Sequence, residues 1–84
     1  MVTILYFARL RESLGKTSEE LELPAAIRDI AALRQHLAAR GGPWAAELGA
    51  GRNVRAAVNQ TMARGDEPVK NGDEVAFFPP VTGG

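Results

Sequence analysis

The chain contains no cysteine among its 84 residues. That one absence removes disulfides, thiolate metal sites and a cysteine nucleophile together, so sulfur cannot be carried on a thiol of its own. Charge of one sign is lacking too: ten basic residues balance ten acidic ones. The basic residues, Arg9, Arg11, Lys16, Arg28, Arg34, Arg40, Arg52, Arg55, Arg64 and Lys70, are scattered along the chain. With no basic stripe and only 6% aromatic residues to interleave, nucleic acid is not an expected partner. No stretch approaches the roughly 20 consecutive apolar residues of a membrane span. The start, MVTILYFARLRES, lacks the basic opening and small-residue cleavage site of a signal peptide. No membrane association is expected, and the expected location is cytoplasmic.

What is present is the composition of an ordinary globular domain with one modest core, 45% apolar and 24% charged. Val2 to Leu10 (VTILYFARL) is rich in β-branched and aromatic residues and apolar at both parities, which predicts a central strand buried on both faces. Arg11 to Lys16 turns through Gly15. Thr17 to Leu23 (TSEELEL) alternates Leu21 and Leu23 with Glu20 and Glu22, the period of a half-exposed edge strand whose glutamates discourage edge pairing. After Pro24, Asp29 is placed to cap a helix from Ile30 to Arg40, with Ile30, Leu33 and Leu37 on its apolar stripe. Pro43 to Leu48 predicts a second, short helix in which Trp44 covers the edge of the core.

Val54 to Asn59 reads as a third strand, Thr61 to Ala63 as a brief extended piece after a turn at Asn59 and Gln60, and Arg64 to Gly72 as surface loop. Asn71-Gly72-Asp73 signals a tight turn before a last strand, Glu74 to Phe78. The most apolar strands are the first and last, which puts them side by side in the middle of a sheet, with the helix as crossover if they run parallel. The fold class is therefore α+β: a mixed sheet of four to five strands covered by one main helix.

Most chemistry-bearing candidates reduce to ordinary structure. Gly49 to Val54 (GAGRNV) has no Lys-Ser or Lys-Thr after its glycines and Val54 where a dinucleotide fingerprint needs a third glycine, so it reads as a plain loop. His36 lies beside the helix's apolar stripe without an acidic neighbour at i+3 or i+4, which suits a surface position rather than a metal ligand or base. Glu19 with Glu20, Asp66 with Glu67 and Asp73 with Glu74 are adjacent in sequence and, on strands, face opposite ways. They read as solvated charge. Ser13 and Ser18 have no histidine nearby. Metal binding and bound cofactors are not expected.

The end of the chain differs. Phe78-Pro79-Pro80-Val81-Thr82-Gly83-Gly84 runs from a strand through two φ-restricted prolines to two residues without a Cβ. The six residues from Pro79 can span roughly 20 Å when extended, enough to reach the bottom of a partner's active site. A bare Gly-Gly is compatible with slack. Prolines that restrict the arm in advance lower the entropy cost of inserting it, and five apolar residues, Phe77 to Val81, make an odd solvated terminus. The chain accordingly divides into a domain over residues 1–78 and an extended arm over 79–84, still a single domain overall.

These residues resemble a known family. ILYFARLRESLG (Ile4 to Gly15), AALRQHLAARG (Ala31 to Gly41), RAAVNQ (Arg55 to Gln60) and above all NGDEVAFFPPVTGG (Asn71 to Gly84) are similar to the small, sulfur-carrying subunits of molybdopterin synthases, within the ubiquitin-like sulfur carriers. The resemblance covers nearly the whole chain. It implies a β-grasp fold and a carrier cycle in molybdenum cofactor biosynthesis. In that cycle the Gly84 carboxylate is adenylated by a ubiquitin-activating-type enzyme that uses ATP. A sulfur donor protein, such as one carrying a persulfide, then converts it to a thiocarboxylate. The thiocarboxylate donates sulfur to cyclic pyranopterin monophosphate in the large catalytic subunit.

By position, Gly84 carries the cargo, Gly83 permits close approach, and Pro79, Pro80, Val81 and Thr82 form the inserted arm. Phe7 and Phe78 are candidates for the apolar docking surface. The family assembly is a heterotetramer in which the small chain is a non-catalytic subunit and covalent sulfur donor. The competing readings are a carrier for thiamine-thiazole synthesis, a ubiquitin-like protein modifier, and a binding module with an inert tail.

Overall fold

A computed structural model describes residues 1–80, so the expectations placed on Val81, Thr82, Gly83 and Gly84 lie outside the described residues. The elements in chain order are β1 (Val2–Tyr6), α1 (Arg9–Leu14), β2 (Ser18–Leu21), α2 (Ile30–Ala38), α3 (Gly42–Leu48), β3 (Arg55–Val58), β4 (Thr61–Ala63) and β5 (Glu74–Phe78). One five-stranded mixed sheet runs in the order β2-β1-β5-β3-β4. β1 and β5 are parallel and central, with Ile4 opposite Val75 and Tyr6 opposite Phe77, while the other pairings are antiparallel. The expected centre of the sheet and the edge position of the glutamate-rich strand both hold.

The first strand is shorter than its apolar run suggested. It ends at Tyr6, and Ala8 turns the chain with φ 53° and ψ −131°, a conformation that L-residues seldom adopt. Arg9 to Leu14 then forms α1, where a turn had been expected, and buries Leu10 and Leu14 one helical turn apart. Gly15, left-handed at φ 68°, closes this helix by donating its N–H to the Arg11 carbonyl. Two spacings overlap here: the apolar period of two in β1 passes into a period of four at Leu10 and Leu14 with no polar break between them.

α2 begins where expected. Asp29 accepts a hydrogen bond from the Ala32 N–H at 2.8 Å, satisfying one of the helix's unpaired donors. Ile30, Leu33 and Leu37 meet Val2, Ile4, Tyr6, Val75 and Phe77 in one core, with Leu10, Leu14 and Leu48 from the shorter helices. Each such side chain contributes about 1.5–3 kcal/mol by leaving water. α3 also appears as predicted, and Trp44 is half-buried at the core's margin.

Two carboxylates expected to be solvated are structural. Asp73 is 8% exposed, and its oxygens accept from the Asn59 side-chain amide at 3.1 Å and the Lys70 N–H at 3.0 Å. Asn59 in turn accepts from the Glu74 N–H at 3.0 Å, so the β3–β4 turn is tied to the start of β5. That turn, Asn59 and Gln60 with φ 49° and 70°, matches the two-residue hairpin type that favours positive φ at both positions.

Glu19 is the second such carboxylate. Its oxygens accept two hydrogen bonds from Arg40, at 2.9 and 2.8 Å, and one from the Tyr6 hydroxyl at 2.8 Å. The Arg40 guanidinium lies 4.4 Å from the centre of the Trp44 ring, and Trp44 meets Tyr6 edge-on at 5.5 Å. The edge strand, the central strand and the turn between α2 and α3 are thereby joined through one carboxylate.

The hydrogen bonds from Arg40 hold the Glu19 carboxyl below its usual range, against the opposing effect of partial burial. A depressed folded-state value contributes stability above the unfolded carboxyl's pKa of about 4.3, and that contribution is lost as pH falls through the folded-state value. Glu19→Gln should therefore cost about 1 kcal/mol at neutral pH in urea denaturation, with the gap from wild type closing under acid conditions. A gap independent of pH would contradict this assignment.

Candidate functional site

The arm leaves from the most constrained strand. β5 is hydrogen-bonded to β1 on one side and β3 on the other, and Phe77, 1% exposed, anchors it in the core. Phe78 points the other way and is half-buried, as are Pro79 and Pro80. The arm's base is therefore fixed in direction by the sheet itself.

Phe78 opens onto the face of the sheet opposite α2. Register defines a row across that face: Leu5 lies opposite Ala76, Ala76 opposite Ala57, and Ala57 opposite Met62. The helices send their buried residues into the core on the other side, so among the described residues no helix forms a second layer here. Ala57 and Ala76 make a low floor. Phe7 at 44% exposure and Met62 at 62% stand at its margins, giving an apolar patch beside the arm.

Both aromatic candidates for docking, Phe7 and Phe78, belong to this face. Phe7 continues the parity of Thr3 and Leu5 beyond the end of β1, donates its N–H to the Phe77 carbonyl at 3.2 Å, and accepts from the Leu10 N–H at 3.1 Å. The turn at Ala8 lets the ring stay out while the following helix drops into the core. Met62 was not singled out from the sequence, although the parity of the hairpin Val58-Asn59-Gln60-Thr61 would place it opposite Ala57.

A second organiser is Arg34 on α2. Its Nε donates to the Leu48 carbonyl at 2.8 Å, and its Nη2 donates to the carbonyls of Gly49 at 3.1 Å and Arg52 at 2.5 Å. Burial without a facing carboxylate pushes this guanidinium's pKa down. The glycine-containing loop is thus a plain loop, as expected, but one clipped to the helix. It flanks the arm: Gly51, Arg52 and Asn53 share a cavity of about 380 Å³ with Arg9, Pro79 and Pro80. A larger cavity of about 480 Å³ lies between α2 and the β3–β4 hairpin, bordered by Arg34, Arg52, Arg55 and Arg64. His36 is exposed in the last turn of α2.

A mixed sheet with a parallel central pair, crossed by one main helix, defines the ubiquitin-like β-grasp class. Residues 4–84 match the ThiS family, and the chain belongs to that family. It is 49% identical to the molybdopterin synthase sulfur carrier subunit of Escherichia coli K12 and 46% identical to that of Haemophilus influenzae, covering 100% of both chains in each case. Among solved structures it is similar to a candidate molybdopterin converting factor subunit 1 from Pyrococcus furiosus, with a TM-score of 0.77 and 35% identity over 95% of this chain and 97% of that one.

Arg34→Ala should remove three hydrogen bonds from a charged donor and leave the Leu48 carbonyl without its partner, costing about 2 kcal/mol in chemical denaturation. Amide hydrogen exchange should accelerate selectively between Gly49 and Val54. Arg34→Lys should fall between, since an ammonium cannot reproduce the planar fork. Unchanged exchange in the loop would show that it is held by other contacts.

Proposed function

We propose that this chain is the sulfur carrier of a molybdopterin synthase, acting through the carboxylate of Gly84. The observation that supports it most is the continuity of β5 with Pro79 and Pro80: a strand held between two neighbours passes, beside an apolar patch, into the two prolines that precede Val-Thr-Gly-Gly in the sequence. Similarity over full length to two sulfur carrier subunits supports the same reading.

The chemistry follows from what a carboxylate is. Resonance makes it a poor electrophile, so it first needs a leaving group. A ubiquitin-activating-type enzyme supplies one: a Gly84 carboxylate oxygen attacks the α-phosphorus of ATP, pyrophosphate leaves, and an acyl adenylate forms. A persulfide on a donor protein then attacks the acyl carbon and AMP departs. Cleavage of the resulting acyl disulfide by a thiol leaves the thiocarboxylate. In the large catalytic subunit that sulfur passes to cyclic pyranopterin monophosphate, and two such transfers build the dithiolene of molybdopterin. The acid-base groups for these steps are supplied by the partners.

The chain's own residues deliver and orient. Pro79 and Pro80 restrict the arm before insertion, Val81 and Thr82 continue it, and Gly83 admits a narrow channel because it has no Cβ. Phe7, Met62 and Phe78 surround the patch that would dock each partner in turn, one small subunit at each end of a heterotetramer. Aromatic and methionine side chains at the rim of a flat floor suit a surface that must fit more than one partner.

Incubation with ATP, the cognate activating enzyme and a sulfur donor should change the intact mass by exchange of one oxygen for one sulfur at the C-terminus. No change, while an authentic carrier is charged in parallel, would exclude the reading. Isopeptide remnants of Gly84 on cellular proteins would instead favour a protein modifier. Deleting Gly84, or adding one residue after it, should abolish transfer and leave the fold intact. Phe7→Ala and Met62→Ala should each weaken binding of the large subunit by roughly tenfold, measured by titration calorimetry.

A further inference from the structure

The geometry points to a collar of arginines at the base of the arm that docks acidic side chains at the mouth of the receiving protein's channel, an inference that rests on the carrier reading. Three arginines, one from the start of the chain and two from the segment leading into β3, lie around that base. Arg9, at the start of α1, and Arg52, in the loop clipped by Arg34, border the same cavity as Pro79 and Pro80. Arg55 lies opposite Phe78 in the β3–β5 ladder, one residue before the arm begins. All three are exposed.

Their charge is poorly neutralised among the described residues. No aspartate or glutamate borders either cavity that Arg52 shares. Among the described residues, Arg52 and Arg55 take part in no ion pair. Arg9 has a single carboxylate neighbour, Glu47, at 3.4 Å from its Nε. That contact makes no hydrogen bond and leaves the Glu47 oxygen without one. The Arg9 side chain is still 59% exposed. In a chain whose formal net charge is zero, this is a local positive surface and not a reflection of overall charge.

Reach identifies the kind of ligand. Four extended residues from Pro80 put Gly84 at most about 14 Å away, so with the arm inserted the collar stays outside the channel, at its rim. A nucleotide reacting at Gly84 lies at the far end. What the collar meets is protein surface around the entrance, and carboxylates there would accept the guanidinium fork in pairs. Rim charges of this kind act mainly on the association rate, by steering the arm toward the opening, and less on the bound state.

The test uses the full chain with its purified large subunit and its activating enzyme, in stopped-flow association at low and high ionic strength. The triple variant Arg9→Glu, Arg52→Glu, Arg55→Glu should associate roughly tenfold or more slowly at low salt, with the difference shrinking as salt rises. The triple Arg→Lys variant, which keeps the charge, should recover most of the rate and guards against a folding defect, as does an unchanged circular dichroism spectrum. Wild-type association by the folded glutamate variant, or a deficit that does not depend on salt, would overturn the collar. So would competition by millimolar inorganic phosphate beyond that of chloride at equal ionic strength, which would mark a small-anion site. Deletion of Gly84 separates the two ideas: it should abolish sulfur transfer while leaving the salt-dependent association rate intact. Retained transfer in that deletion would remove the carrier reading itself.

Discussion

The parallel pairing of β1 with β5 is the constraint on which everything else depends. Two parallel strands cannot be joined by a tight turn, so the chain between them must cross over, and α2 with its capping Asp29 supplies that crossing. Burying α2 on one face commits Ile4, Tyr6, Val75 and Phe77 to the core and turns Leu5, Ala76 and Phe78 outward by parity alone. The apolar patch and the direction of the arm are therefore two consequences of one register. A shift of one residue between β1 and β5 would exchange the core set for the docking set.

Polar groups then fasten this frame where hydrophobic contact is thin. Glu19 ties the edge strand to the turn between α2 and α3, Asp73 ties the hairpin turn to β5, and Arg34 ties the loop beside the arm to α2. In each case a charged group with several hydrogen-bonding positions has several partners, which is what makes its burial tolerable. None of the three lies on the apolar face, so the anchoring of the fold and the proposed recognition of partners draw on separate residues.

Much of this was legible in the residues. The order of strands, the central place of the first and last, the cap at Asp29 and the short helix after Pro43 all follow from period, breakers and capping chemistry. What could not be read was tertiary. Nothing local distinguishes Glu19 from Glu20, because the Arg40 that pairs with Glu19 comes from the turn after α2. Asp73 resembles any turn aspartate until the Asn59 hairpin is folded beside it. α1 was hidden because Leu10 extends the apolar run of β1, and the break at Ala8 is made by a backbone angle rather than by a glycine or proline. The basic residues look scattered in sequence, and only the fold gathers Arg9, Arg52 and Arg55 at one end of β5. The arm was visible at once as a motif, yet its last four residues lie outside the described structure, and their part in the chemistry rests on the sequence and on similarity.

The central position of β5 also has a mechanical meaning. In the proposed carrier cycle, an arm inserted in one protein, released and inserted in another would be pulled along its own axis at each withdrawal. Because β5 is bordered by β1 and β3, such a pull loads both ladders lengthwise, so that many hydrogen bonds must slide and break together rather than one after another. An edge strand, detached by a sideways tug, could be peeled bond by bond. Under that proposal, placing the handle at the end of a middle strand would let the domain be drawn out of a tight socket without peeling its sheet.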